Sequence, residues 1–358
     1  MLLLLKQVAE LKDLKDLEQQ LTSWVLDGLP LPFGVDVDAD MKNTKINVLF
    51  AGAPSLILPD KTYYEADHPQ APQLLAIFKE MTVKLFALAG YETETAERIT
   101  DEALQYDKLL APHVKSAEEN ADYSKMYNPE SGEEFIKRSQ HLDLEKLLVG
   151  LVGEVPEKII VTEPAFFEKL DDLVNPDTFQ QMKSWMMVMT INALTAYLSE
   201  EFRQVGGAYG RALSGAPEAR PQEKAAFYLA SGRFDQIIGD YYGKKYFGEQ
   251  AKKDVEQMVQ RMVSIYQERL SSNTWLSEAT REKAIVKLNT LGIHVGYPEK
   301  IPPIYAQFKV TPAEKGGTLL SNALHFSHLK RKEDYAKWNT PVAVSYTHLR
   351  AHETAANL

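Results

Sequence analysis

Three places in this 358-residue chain gather side chains that could do chemistry. Asp36-x-Asp38-x-Asp40 has the alternating carboxylates that open a calcium loop. Such a loop needs Gly at its sixth position for the sharp turn and a bidentate Glu at its twelfth. This chain has Met41 and Asn47 there, so the aspartates are expected in a solvated loop. His325 and His328 stand three apart on an expected helix, where both imidazoles could face one site. Zinc would need a third ligand and a base in the same pocket, and Glu333 lies beyond the basic run Lys330-Arg331-Lys332. Both histidines therefore read as surface or half-buried side chains. His348 and His352 have the four-residue spacing that shares a helical face, with Glu353 adjoining. A zinc helix of the His-Glu-x-x-His type places Glu directly after the first His, as base on metal-bound water. Leu349 stands in that place, and the inverted His-x-x-Glu-His order is not met either. No His-Glu-x-x-His occurs anywhere in the chain.

Other routes to catalysis are closed in the same way. Gly206-Gly207-Ala208-Tyr209-Gly210 follows a helix and lacks both glycine-rich phosphate-loop patterns, so it reads as a helix-terminating turn. No Gly-x-Ser-x-Gly elbow exists; Leu213-Ser214-Gly215 is a loop fragment. The chain has no cysteine, which excludes disulfides, thiolate metal sites and Cys nucleophiles, and fits a reducing cytoplasm. A formal charge of −10 argues against nonspecific nucleic-acid binding, and Lys330-Arg331-Lys332 reads as a solvated helix face. These residues assign no catalytic, cofactor-binding or metal-binding position.

The elements that would position any site are mostly helical. Lys252 to Leu270 sets Val255, Met258, Val259, Met262, Val263, Tyr266 and Leu270 on one stripe, which reads as core. Ser277 is placed to cap the next helix, Gly292 to close it, and Gly296-Tyr297-Pro298 to turn the chain. Further helices are expected at about 70–89, 93–112, 177–203, 222–242 and 318–334. The greasy stretch Trp185 to Leu198 is too short and too interrupted to cross a bilayer, so it is a buried helix and no membrane span is expected. Leu2-Leu3-Leu4-Leu5 continues through Val8, Leu11, Leu14, Leu17 and Leu21 as an amphipathic helix, not a signal peptide. Strands are few: Ile46–Phe50, Lys158–Val161 and Gln307–Val310. No repeat or long linker interrupts them, so one intertwined unit is expected.

Ordered segments add a resemblance. Lys245-Tyr246-Phe247, Ala251-Lys252-x-x-Val255, Asn273-Thr274-Trp275-Leu276-Ser277-x-x-Thr280, Lys283-Ala284-x-x-Lys287-Leu288 and Gly296-Tyr297-Pro298 follow one another. Together they resemble the neprilysin and endothelin-converting-enzyme family of zinc endopeptidases, most closely its bacterial oligoendopeptidase O branch. Leu58-Pro59-Asp60 with Tyr63-Tyr64, Gly207-Ala208-Tyr209-x-Arg211 and Lys337-Trp338-Asn339-x-Pro341-Val342 agree with it.

The resemblance implies a mainly α fold: the large multi-helix lobe of a two-lobed metallopeptidase, with a few short strands. It also implies hydrolysis of oligopeptides in an enclosed chamber, with zinc held by a His-Glu-x-x-His helix and a later Glu-x-x-x-Asp segment of the other lobe. No such residue is matched here. Residues 1–342 are expected to be a partial N-terminal, covering-lobe region that starts inside a family helix. Residues 343–358, containing Ser345-Tyr346-Thr347-His348-Leu349-Arg350-Ala351-His352-Glu353-Thr354, look like translated adapter sequence and are expected to be a non-native tail. Zinc is thus expected in the intact parent and not in this fragment, which is expected to be inactive alone. A noncatalytic peptide-binding module is the alternative. A bacterial cytoplasmic location is expected, with export left open.

Overall fold

A computed structural model describes residues 1–298 and 300–342; His348, His352, Glu353 and the expected tail lie outside them. The described chain divides into two units, residues 1–219 with 309–342, and residues 220–308. This corrects the expectation of one intertwined unit.

In the first unit, the opening apolar stretch forms α1 (Leu2–Ala9) and α2 (Leu14–Asp27). Asp13 separates them because its carboxylate accepts the Asp16 amide and starts the second helix. A four-stranded sheet comes next, with order β1-β2-β4-β3. Its strands are β1 (Gly34–Ala39), β2 (Asn47–Gly52), β3 (Pro129–Glu130) and β4 (Ile159–Val161). β1 and β2 form an antiparallel hairpin with Val37 opposite Leu49, and β2 runs parallel to β4 with Phe50 opposite Ile160. Ile159, Ile160 and Val161 are all buried, as a continuous apolar run in an inner strand requires.

Two long helices, α3 (Ala71–Leu88) and α4 (Thr93–Leu110), match the expected spans. Short helices α5 (Ala117–Ala121) and α6 (Gly132–Ile136) open with serine capping boxes at Ser116 and Ser131. After them come α7 (Leu144–Val152), α8 (Pro164–Phe167), α9 (Leu170–Leu173) and α10 (Phe179–Leu194). α10 is apolar on nearly every face and is buried against α4; the Tyr106 and Trp185 ring centroids lie 5.9 Å apart. Phe33, Phe135 and Phe166 surround Phe167, with centroids 6.3, 5.3 and 5.3 Å away, and form the other dense part of the core.

The expected helix 177–203 is instead broken. Leu198 is extended, and Ser199 caps a new helix, α11 (Glu200–Gly206), after which α12 (Ala208–Ser214) begins.

The second unit holds α13 (Gln222–Arg233), α14 (Asp235–Tyr242), α15 (Gly248–Ser271) and α16 (Glu278–Asn289). The expected span 222–242 divides at Phe234, whose φ of −116° and ψ of 30° leave the helical region. Ser277 caps α16 by accepting the Thr280 amide at 3.3 Å, as expected. The helix ends at Asn289, three residues before Gly292, which is not left-handed; Gly296 takes that conformation in the turn, with φ +77°. Gln307–Val310 is not a strand. Pro302 and Pro303 start a 3-10 turn that runs to Gln307, and no described strand lies alongside to pair with Phe308, Lys309 and Val310. The last helix, α17 (Leu319–Tyr335), returns to the first unit, where Tyr335 donates its hydroxyl to the Val35 carbonyl in β1.

Candidate functional site

The most constrained polar centre of the first unit is built on α4. Its inward face reads Ala96, Ile99, Ala103, Tyr106 and Leu110, and Asp107 interrupts this apolar row with a fully buried carboxylate. Oδ1 accepts from the Trp185 indole at 2.9 Å, and both oxygens share the Ile57 amide at 3.2 and 3.1 Å. The Tyr64 hydroxyl donates to Oδ2. Burial pushes the carboxyl up to about 6, against these donors, which draw it down. Asp107 belongs to none of the motifs considered above, and spacing alone carried its signal: one acid on the buried stripe of an amphipathic helix must find donors there.

A second buried acid sits at the end of β1. Asp40 pairs with Lys158 and accepts the amides of Lys42 and Asn43 at 2.8 and 3.2 Å. Burial pushes its carboxyl up, but Lys158 and the two amides pull harder, so it lies below its ordinary value. The Asp36-x-Asp38-x-Asp40 run is therefore not a solvated loop. It is a strand with two exposed carboxylates, ended by one buried in an ion pair.

The histidines lie where the sequence placed them. His325 is exposed on α17, and His328 is half-buried with Nδ1 2.7 Å from Asp27 Oδ1. Lys330 and Lys332 are exposed on the same helix, and Arg331 is half-buried with its guanidinium over Gly28. Gly207 joins α11 to α12, so the Gly206–Gly210 stretch is a helix junction and not a phosphate loop. Among the described residues, no group of three or more His, Asp or Glu is gathered to hold a metal ion.

The second unit is different in kind. Of the stripe on α15, Met258, Met262 and Tyr266 are exposed, and Val255, Val259, Val263 and Leu270 are only half-buried. This corrects the reading of the stripe as core. Tyr241, Tyr242 and Tyr246 are exposed as well, and Trp275 is 80% exposed.

The order of elements, the helix-rich first unit and the matched segments can be set against known proteins. The profile described as Peptidase family M13 matches residues 1–298. The chain belongs to peptidase family M13. Within this neprilysin-like family it is 40% identical over 338 residues to a neutral endopeptidase of Lactobacillus helveticus, covering 94% of the chain and 52% of that protein. A protein of Streptococcus gordonii described as a putative zinc metalloproteinase is 35% identical, over 97% of this chain and 61% of its own length. The crystal structure of PEPO from Lactobacillus rhamnosis superposes with a TM-score of 0.87 at 30% identity, over 95% of this chain and 53% of that one. This M13 chain is mainly helical with few short strands, as the resemblance implied. It spans about half the length of the curated relatives it matches.

Proposed function

We propose that this chain is the covering-lobe part of a zinc-dependent endopeptidase that hydrolyses oligopeptides within an enclosed chamber. The observation that carries the reading is the 40% identity to a neutral endopeptidase across 94% of the chain. On this reading residues 1–342 are a partial N-terminal region and residues 343–358 a non-native tail. Zinc and its ligands then belong to the remaining length of the parent, and the polypeptide in hand is inactive by itself.

The described side chains do not fit zinc. His328 is engaged by Asp27, His325 is exposed, and no third ligand joins them. Support also comes from residues 220–308, where Phe227, Tyr241, Met262, Tyr266 and Trp275 are exposed large apolar side chains. A parent that supplies further chain would have apolar side chains here to cover. The absence of cysteine accords with a cytoplasmic bacterial enzyme. Among the described residues no helix is long and apolar enough to cross a membrane.

The test is metal analysis and peptide cleavage on the purified 358-residue chain. The expected result is no stoichiometric zinc and no chelator-sensitive cleavage of a fluorogenic oligopeptide. One tightly held zinc per chain with such cleavage would overturn the proposal.

A further inference from the structure

Asp107 on α4 draws donors from two other stretches of chain onto one carboxylate. Two of its donors, the Ile57 amide and the Tyr64 hydroxyl, lie within eight residues of each other. The Tyr64 oxygen also accepts the Leu58 amide at 3.1 Å, and the Tyr209 hydroxyl on α12 donates to the Ile57 carbonyl at 2.9 Å. The stretch Ile57–Tyr64 has no α-helix or strand of its own, only a single 3-10 turn at Lys61–Tyr64. Behind it, α4 and α10 present Asp107 and the Trp185 indole. We propose that Ile57–Tyr64 is a strap latched onto the helical core by Asp107, and that proton uptake at this one carboxyl governs how tightly the strap is held.

The direction depends on which state binds the proton better. In the closed strap, burial pushes the Asp107 carboxyl up to about 6, whereas an opened strap returns it to water and towards 3.8. The closed state thus holds the proton more tightly. Acid closes the strap, and a rise in pH through about 6 loosens it.

The titratable groups facing Asp107 are two phenols, Tyr64 from the strap and Tyr209 from α12; α10 contributes only the neutral indole. Burial first, then the charge of Asp107, pushes both phenols up, so they stay protonated throughout this window. No Lys, Arg or His is paired with Asp107 among the described residues. The outer turn of the strap has its own anchors. Asp60 accepts the Thr62 and Ala117 amides at 2.8 and 2.5 Å, and Lys61 pairs with Glu119 at 2.5 Å. Asp60 and Glu119 both lie below their ordinary values, so they titrate in a more acid range than Asp107.

Hydrogen exchange of the 358-residue chain between about pH 5 and pH 8, corrected for intrinsic rates, tests the latch. Protection of the Ile57 and Leu58 amides should fall about tenfold across that range as Asp107 ionises. Asp107→Asn should make the protection independent of pH. Tyr64→Phe removes one strap donor and keeps the carboxyl, so protection should still fall with pH, with the fall moved to higher pH. Trp185 emission should titrate near pH 6 in the unaltered chain and at higher pH in Tyr64→Phe, which loses a donor that draws the carboxyl down. Protection that is flat or rises with pH in the parent chain overturns the proposal, as does a slope that survives in Asp107→Asn. Should that variant not fold, the slopes of the parent chain and of Tyr64→Phe decide alone.

Discussion

Helix α10 in the first unit carries apolar side chains on nearly every side and buries most of them, whereas α15 in the second carries a long apolar stripe and fully buries none of it. The same contrast holds across the units. The first has a continuous core from Leu5 through Ile191, while among the described residues of 220–308 only Gly243 and Ile304 are buried. Periodicity records that a face needs cover; it does not record whether the same stretch of chain supplies that cover. Helix formation and burial are thus separate properties of a sequence, and the two units pull them apart.

The largest expected effect sharpens this contrast directly. Phe166 is fully buried against Phe167, so Phe166→Ala should cost about 3–5 kcal/mol through lost transfer energy and an unfilled cavity. Tyr266→Ala on α15 removes an equally large ring from a position 59% exposed and should change stability by about 0.5 kcal/mol or less. Urea unfolding followed by circular dichroism measures both. Equal losses would break the comparison, because they would mean that the stripe on α15 is covered in solution.

Glycines probe packing from the other side. A Cβ at Gly132 would lie 2.4 Å from the Pro156 carbonyl oxygen, a backbone atom that cannot swing aside. Gly132→Ala should therefore cost about 2–3 kcal/mol from overpacking, read as a lower urea midpoint with an unchanged slope.

Ion pairs give the next step down. Lys158→Met leaves Asp40 buried without its cation, and the expected loss is about 1–2 kcal/mol, moderated because water reaches the lysine. Asp40 is held below its ordinary value in the fold, so its contribution is present above about pH 4 and disappears as pH falls through the folded value. Thermal unfolding of the variant should lose that acid dependence. In the second unit Glu249 and Lys253 are both exposed, and Lys253→Met should leave the unfolding curve unchanged. Asp107 has the opposite sign: its raised carboxyl favours the fold in acid and less so as pH climbs through about 6.

Helix spans of the first unit were legible because their signals are local. Apolar spacing places α3, α4 and α17 within a residue or two, and of the three only α17 has a capping side chain, Thr318. The break at Leu198 was hidden, since Thr195 to Glu201 holds no proline or glycine and only Ser199 marks the restart. β1 was hidden for another reason. Its alternate aspartates resemble a loop, and only pairing with β2 and the distant Lys158 makes them a strand. Asp107 was visible as an acid on an apolar face, but its partners come from 50 and 78 residues away and no local pattern names them. The Gln307–Val310 alternation shows the reverse case, a strand pattern with no described strand beside it to pair with.

The one expected gain turns on Gly239 in the middle of α14. This residue has an ordinary helical backbone, and no atom outside its own helix lies within 4 Å of where a Cβ would sit. The substitution that costs stability at Gly132 should here add about 0.5–1 kcal/mol, because alanine loses less backbone freedom on entering a helix and meets nothing on arrival. Hydrogen exchange across α14 should slow about two- to fivefold in Gly239→Ala. A loss of protection would mean that another surface lies against this helix in solution, which would extend to the second unit the tight packing found in the first.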